Sequence, residues 1–190
     1  MKHLYKFTGR NGETYNGFMW PLPVKQGRKW IAGEWTPAID GELEACENGY
    51  HLTDRDHLLE WAGEEMYVAE YDGDIIQEQD KYVVRRARLI KRVETWNDKT
   101  LRLFTVWCAR NALAFIDNPD PRSVHAVDVA EKFANGKATG EELAAAWARD
   151  AAWAAARDAA WDAARDAARA AAWDAARDAQ NKKLLEMLKL

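Results

Sequence analysis

The chain has 190 residues, a formal net charge of −4 and two cysteines. The length suits one domain with an appendage, the acidic excess argues against a nucleic-acid partner, and two cysteines supply neither a disulfide framework nor a zinc site. No apolar leader follows Met1, and no uncharged stretch reaches the roughly 18 residues that cross a membrane. We therefore expect a cytoplasmic protein with no membrane partner.

The beginning of the chain predicts strands and turns. Residues 3–7 alternate between polar and apolar side chains as a strand does. Asn11-Gly12 favours a hairpin turn, and residues 14–20 predict the returning strand. The glycines and prolines across residues 24–48 indicate a long loop or short strands.

The middle of the chain completes an α+β pattern. Residues 66–71 and 81–93 predict two further strands, with a turn at Asp72-Gly73 after the first. Apolar residues at helical spacing then predict a helix that begins near residue 97. We expect residues 1–117 to form an α+β domain with a mostly antiparallel sheet and one or two helices.

Residues 118–139 predict a linker with a short helix. Two prolines on either side of Asp120 mark the domain boundary. Thr139, with Glu142 three residues later, predicts a capping box at the start of a new helix. That helix opens the last predicted segment, an Ala-rich helical arm over residues 140–190.

Most of the arm repeats a four-residue unit of Arg or Trp, Asp or Ala, and two alanines. Alanine is the strongest helix former, so the repeat predicts a helix, either one straight rod or a hairpin. On 3.6 residues per turn, a period of four drifts by about 40° per repeat. The drift leaves alanine grooves on several sides, where another helix can approach closely. We expect a homo-oligomer whose interface residues are Trp147, Trp153, Arg157, Trp161, Arg165 and Trp173.

Cys46 and His51 lie five residues apart in the most motif-like segment of the first domain. A thiol and an imidazole at this spacing are compatible with a nucleophile and its base, and they would be the catalytic residues of an enzyme. The alternative is a tight turn at Asn48-Gly49 that holds a buried cysteine and a structural histidine. No other catalytic residue is assigned.

Residues 81–92 form a basic strand that contains no acidic residue. The planar guanidinium of arginine matches the geometry of phosphate, so the strand predicts an anion-binding surface. A nearby tryptophan would stack on an aromatic base of the ligand. The alternative is a solvated strand whose arginines pair with nearby carboxylates, with the tryptophans in the core. The ligand-binding side chains predicted by the first interpretation are Lys81, Arg85, Arg86, Arg88, His51, Trp20 and Trp35.

Several common chemical motifs are absent from the sequence. It contains no phosphate-binding loop, no dinucleotide fingerprint, no nucleophile elbow and no metal-ligand spacing. The sequence therefore predicts neither a cofactor nor a metal.

Four short motifs resemble an uncharacterised domain family of bacteriophage and bacterial genomes. They are the opening Tyr5-Lys6-Phe7 strand, the Gly-Phe-x-Trp-Pro segment that begins at Gly17, the Cys-x-x-Gly-x-His turn from Cys46 to His51, and the basic strand after Asp80. Such domains are often followed by Ala/Arg/Asp/Trp helical repeats. The resemblance implies a phage or mobile-element origin. The strand, turn and histidine layout is also similar to ADP-ribosyltransferase-like folds.

These observations support three functional hypotheses. The first is a non-enzymatic phage-type binding protein that oligomerises through its arm and acts on a host component. In one version it is a counter-defence protein that sequesters a nucleotide-like signal; in another its partner is a host protein. The second is an enzyme, either ADP-ribosyltransferase-like or dependent on Cys46 and His51. The third is a structural phage assembly protein built around the arm.

Overall fold

A computed structural model of the chain describes residues 3–146 and 169–190, with the backbone alone for residues 169–175. The chain divides into two compact units, Met1–Trp96 with Leu188–Leu190, and Asn97–Met187. The first unit contains the strands and a short 3-10 helix (Leu58–Glu60), and the second contains the α-helices, so the α+β class is confirmed.

The first unit is built on a four-stranded antiparallel sheet. Its strands are β1 (Leu4–Thr8), β4 (Tyr50–Leu52), β5 (Glu65–Gln77) and β6 (Tyr82–Arg92), in the order β1-β5-β6-β4. Just beyond β4, Thr53 exchanges two backbone hydrogen bonds with Tyr5 of β1, at 2.7 and 2.9 Å. This bridge links the two edges of the sheet at one end.

Buried and half-buried residues alternate along β6. Ala87 and Leu89 are fully buried on one face, whereas Arg86 and Arg88 are half-buried on the opposite face. Residues of the other strands complete the apolar layer. The buried residues of this core cluster are Leu4, Trp20, Leu52, Tyr67, Ala69, Tyr82, Val84, Ala87 and Leu89.

A long loop covers the part of β6 that β4 does not reach. The backbone N–H groups of Gly33, Thr36 and Ile39 each donate to a β6 carbonyl at 2.9 Å. The loop follows a small hairpin of β2 (Val24–Gln26) and β3 (Lys29–Ile31). These bonds satisfy backbone groups that would otherwise be an open sheet edge.

Two local predictions for the first unit were wrong. Residues 14–20 form turns and a single bridge at Met19 instead of a returning strand, and Gly17 has φ of 79°. Asp72-Gly73 does not end a strand, because β5 continues through it with a bulge between Asp72 and Ile75. Gly73 absorbs the bulge at φ 84°, a conformation that glycine adopts without strain.

The second unit begins with a helical hairpin of α1 (Asp98–Ala114) and α2 (Pro121–Ala134). The side chain of Asn97 caps α1 by accepting from the Thr100 N–H at 3.1 Å. Arg110 of α1 forms ion pairs with Asp128 and Glu131 of α2.

The unit boundary differs from the predicted domain boundary. The sequence placed the end of the first domain after residue 117, whereas the two units separate between Trp96 and Asn97. The reason is that α1 packs with α2, for example through the Arg102 guanidinium 4.9 Å from the Phe133 ring. The prolines mark a helix–helix turn inside the second unit.

The arm is described only at its two ends. Residues 140–146 are helical and are called α3, and Arg169–Leu188 form helix α4. The predicted capping box is present: the Thr139 hydroxyl accepts from the Glu142 N–H at 3.1 Å, and Glu142 accepts from the Thr139 N–H at 2.7 Å. Within residues 3–146 and 169–190, no helix combines the length and apolar character that a membrane crossing needs.

Candidate functional site

Arg85 of β6 is held by three oxygen atoms. Its guanidinium donates to Asp74 Oδ2 at 2.9 and 3.1 Å, and to the backbone carbonyls of Ile39 at 2.6 Å and Gly41 at 3.0 Å. The charge is therefore paired, and the arginine fastens the covering loop to the sheet. Loss of the Arg85 side chain would weaken the attachment of that loop, which backbone hydrogen bonds also hold.

Arg86 and Arg88 are paired across the sheet. They lie opposite Asp72 and Glu70 in the β5–β6 register and form ion pairs with those carboxylates. Each guanidinium also lies 4.7 Å from the centre of the Trp35 ring. This arrangement matches the alternative interpretation of the basic strand, in which local carboxylates neutralise the arginines.

Trp20 lies in the core. It is 4 % exposed and packs edge-on against Phe18 and Tyr50, with ring centres 5.9 and 5.5 Å apart. The ammonium of Lys6 lies 5.1 Å from the Trp20 ring and donates to the His51 carbonyl at 3.0 Å. The indole face is therefore used inside the fold.

Cys46, His51 and Lys81 do come together, although not as a nucleophile and its base. The His51 Nε2 atom accepts a hydrogen bond from the backbone N–H of Cys46 at 3.1 Å. The exposed thiol instead receives a hydrogen bond from Lys81 Nζ at 3.2 Å. Because the His51 lone pair is occupied, this arrangement gives the imidazole no route to the thiol proton.

The charges around this cluster are shifted by their surroundings. Burial lowers the pKa of His51, and the nearby ammonium groups of Lys6 and Lys81 lower it further. Burial also lowers the pKa of Lys6 to about 8. The hydrogen bond to Cys46 raises the pKa of Lys81, so Lys81 keeps its charge. His51 is thus a neutral hydrogen-bond acceptor in a positively charged environment.

A different group of residues lines a cleft of about 580 Å³ in the first unit. The cleft is bounded by β1, the β2–β3 hairpin, the loop after β4, β5, the end of β6 with the residues that follow it, and residues 188–190. Its lining residues are His3, Tyr5, Arg28, Trp30, Arg55, Val68, Lys91, Arg92, Val93, Glu94, Thr95, Leu188, Lys189 and Leu190. We call this feature the cationic cleft.

Positive charge dominates the cationic cleft. Five of its lining residues are arginine or lysine, and Glu94 is its single acidic side chain. Three of these charged side chains are already engaged: Arg92 pairs with Glu65 of β5, Glu94 pairs with Lys25 outside the cleft, and Arg55 also has an interaction partner. Within the described part of the chain, Arg28, Lys91 and Lys189 form no ion pair.

Sequence reasoning missed the cationic cleft as a unit. Lys91 and Arg92 belong to the predicted basic strand, but Arg28, Arg55 and Lys189 are isolated charges in segments without a motif. Only the tertiary fold brings these distant segments together. The basic strand, residues 81–92, was the strongest sequence indication of an anion-binding surface. In the structure its central arginines form ion pairs with carboxylates of β5.

The predicted oligomerisation residues are those of the Ala-rich arm. Trp147, Trp153, Arg157, Trp161 and Arg165 lie outside the described residues, and Trp173 belongs to the part of α4 described by its backbone alone. Within the described ranges, no three His, Cys, Asp or Glu side chains are grouped in a way that could hold a metal ion.

Comparisons of the chain with protein-family models, with curated proteins and with solved structures found no match.

Proposed function

We propose that this protein is a non-enzymatic binding protein that takes an anionic, aromatic small molecule, such as a nucleotide, in the cationic cleft. The observation that carries the proposal is the concentration of arginine and lysine around one cleft in a chain with a net charge of −4. A local field opposite in sign to the whole protein favours an anionic ligand at this place.

The unpaired cations give the cleft its phosphate-binding capacity. Arg28, Lys91 and Lys189 form no ion pair with another described residue. Binding an anion there need not break an existing ion pair of these three side chains. Arginine offers a planar fork for phosphate and lysine a mobile point charge, so the three together can accommodate several phosphate oxygens.

The apolar lining favours a ligand that also has a ring. Trp30 on β3 is half-buried and contributes to the wall together with Val68 and Val93. Stacking of a nucleobase on a tryptophan contributes about 1–3 kcal/mol. The cleft volume of about 580 Å³ lies within the usual range for small-molecule sites.

The biological role that fits this chemistry is sequestration. A phage protein that removes a nucleotide-like signal from the host needs a binding site and enough copies, but no catalytic groups. The resemblance to phage domains supports this version, and the occupied lone pair of His51 gives the Cys46 enzyme hypothesis no support. An ADP-ribosyltransferase-like activity and a role in virion assembly remain alternative hypotheses.

Calorimetry with ATP and inorganic pyrophosphate at low and moderate salt tests the proposal. We expect both probes to bind, with weaker binding at higher salt because exposed charges are screened. Lys91→Gln should lower the affinity for both probes about three- to ten-fold, since charged hydrogen bonds contribute about 1.5–3 kcal/mol before solvent screening. Trp30→Leu should lower the affinity for ATP and leave the affinity for pyrophosphate unchanged.

Lys29→Gln is the matched control. Lys29 is exposed and adjacent to Trp30 on the same strand, but it does not line the cleft. Absence of binding for both probes would refute the proposal. Equal losses with Lys29→Gln and Lys91→Gln would show that the anion binds a diffuse positive surface instead of this cleft.

Oligomerisation through the arm is a separate part of the proposal. A truncation before the arm would also remove Leu188–Leu190, which belong to the first unit. Replacing Trp147, Trp153, Trp161 and Trp173 by alanine keeps the helix propensity and removes the large side chains. We expect the wild-type chain to sediment as an oligomer and this variant to sediment as a smaller species.

A further inference from the structure

The far end of the chain contributes one wall of the cationic cleft. Leu188, Lys189 and Leu190 line it together with residues of the sheet. These three residues belong to the first unit, whereas the rest of α4 belongs to the second. The cleft is therefore complete only when Leu188–Leu190 are in place within the first unit.

Two contacts hold this segment in place. The Thr95 hydroxyl donates a hydrogen bond to the Leu188 carbonyl at 2.8 Å, and the Leu188 side chain is 2 % exposed. The carbonyl is one of the last in the helix, where no further helical N–H is available to satisfy it. Thr95 thus caps the helix end from the sheet side.

The backbone at Lys189 has the conformation that ends a helix. Lys189 has φ of 58°, the left-handed conformation that often ends a helix. This conformation costs a non-glycine residue about 1 kcal/mol. Its ammonium lines the cleft and forms no ion pair with another described residue.

We infer that the segment Leu188–Leu190 is a ligand-dependent wall of the cationic cleft, so that an anionic ligand and docking of this segment stabilise each other. The inference rests on the proposed function and adds regulation to it. An anion that contacts Lys189 binds the docked form better than the undocked form. The two effects are thermodynamically linked. If docking raises the affinity for the ligand by a given factor, the ligand raises the equilibrium constant for docking by the same factor.

The test combines hydrogen exchange with calorimetry on the full chain, with ATP as the probe. ATP should slow amide exchange in residues 184–190 of the wild-type protein. Leu188→Ala should undock the segment and weaken ATP binding about ten-fold. Lys189→Asn removes the ammonium while asparagine tolerates the left-handed backbone, so it should weaken ATP binding several-fold and abolish the ATP-dependent slowing of exchange.

Lys182→Asn is the control, because Lys182 is an exposed lysine of α4 that does not line the cleft. It should change neither affinity nor the effect of ATP on exchange. ATP binding that is unaffected by Leu188→Ala and leaves exchange at residues 184–190 unchanged would overturn the inference and leave the proposed function intact. Failure of the wild-type chain to bind ATP or pyrophosphate would overturn both.

Discussion

Lys6 should impose a pH dependence on the stability of the first unit, and Lys6→Met should remove it. Lys6 lies on β1, where burial lowers the pKa of its ammonium from 10.5 to about 8. In the unfolded chain the same group is solvated and keeps its ordinary pKa. The folded state therefore binds this proton less tightly than the unfolded state does.

The sign of the effect follows from proton binding. Between pH 8 and 10.5 the unfolded chain holds a proton at Lys6 that the folded chain has released, so the free energy of unfolding rises with pH. Below pH 8 both states are protonated, and the full cost of the buried charge is present. The difference in pKa corresponds to roughly 3 kcal/mol, at about 1.4 kcal/mol per unit.

The measurement is urea unfolding of the wild type and Lys6→Met at several pH values from about 7 to 9.5. Over this range the stability of the wild type relative to the variant should increase by roughly 2 kcal/mol. The upper limit avoids the buried tyrosines Tyr5 and Tyr67, since burial raises the pKa of each. Methionine has a similar length and can occupy the same space.

The difference in the free energy of unfolding between the two proteins at neutral pH is less informative than the change of that difference with pH. Lys6→Met also removes the hydrogen bond to the His51 carbonyl and the contact with the Trp20 ring, which offset part of the cost of burying the charge. Lys29→Met at an exposed position of β3 is the control. A stability difference between wild type and Lys6→Met that does not change with pH would contradict the argument.

Three further predictions concern the two units separately. Gly49→Ala should destabilise the first unit by about 1–3 kcal/mol in urea unfolding, because an added Cβ would lie 2.3 Å from Val83 Cγ1 and the backbone has φ of 149°; full stability would contradict the tight packing. Cys46 is exposed and Cys108 is half-buried, so iodoacetamide should label Cys46 at least ten-fold faster in peptide mass analysis, and equal rates would refute its exposure. Thr139→Ala removes the hydroxyl of the capping box and should cost about 1 kcal/mol; circular dichroism melting checks this, and an unchanged melting temperature would argue against a role for the cap.

Elements set by neighbouring residues could be predicted from the sequence. The capping box at Thr139 and Glu142 depends on contacts three residues apart, and the structure contains both hydrogen bonds. The helix that starts after Asn97 and the strand β6 also follow from local spacing. Propensity and periodicity act over a few residues, so a single sequence contains the information they need.

The turn predicted at Asp72-Gly73 was wrong because contacts distant in sequence override the local preference. The pair reads as a turn, but in the sheet Asp72 lies opposite Arg86 and forms an ion pair with it, while Gly73 adopts a bulge. A cross-strand partner outweighs the local turn preference. Because Arg86 is paired with Asp72, the structure favours a paired strand residue over a phosphate ligand at this position.

By itself, the sequence determined the α+β class, the strands β1 and β6, the helix that begins after Asn97 and the capping box at Thr139, because these arise from residues close together in the chain. Tertiary structure alone decided which charges are paired and which line the cationic cleft. Arg28, Lys91 and Lys189 lie far apart in sequence and line one cleft only because the β2–β3 turn, β6 and residues 188–190 pack together in the first unit. Charge pairing depends on distances of a few ångströms between atoms, and only the packed fold sets those distances.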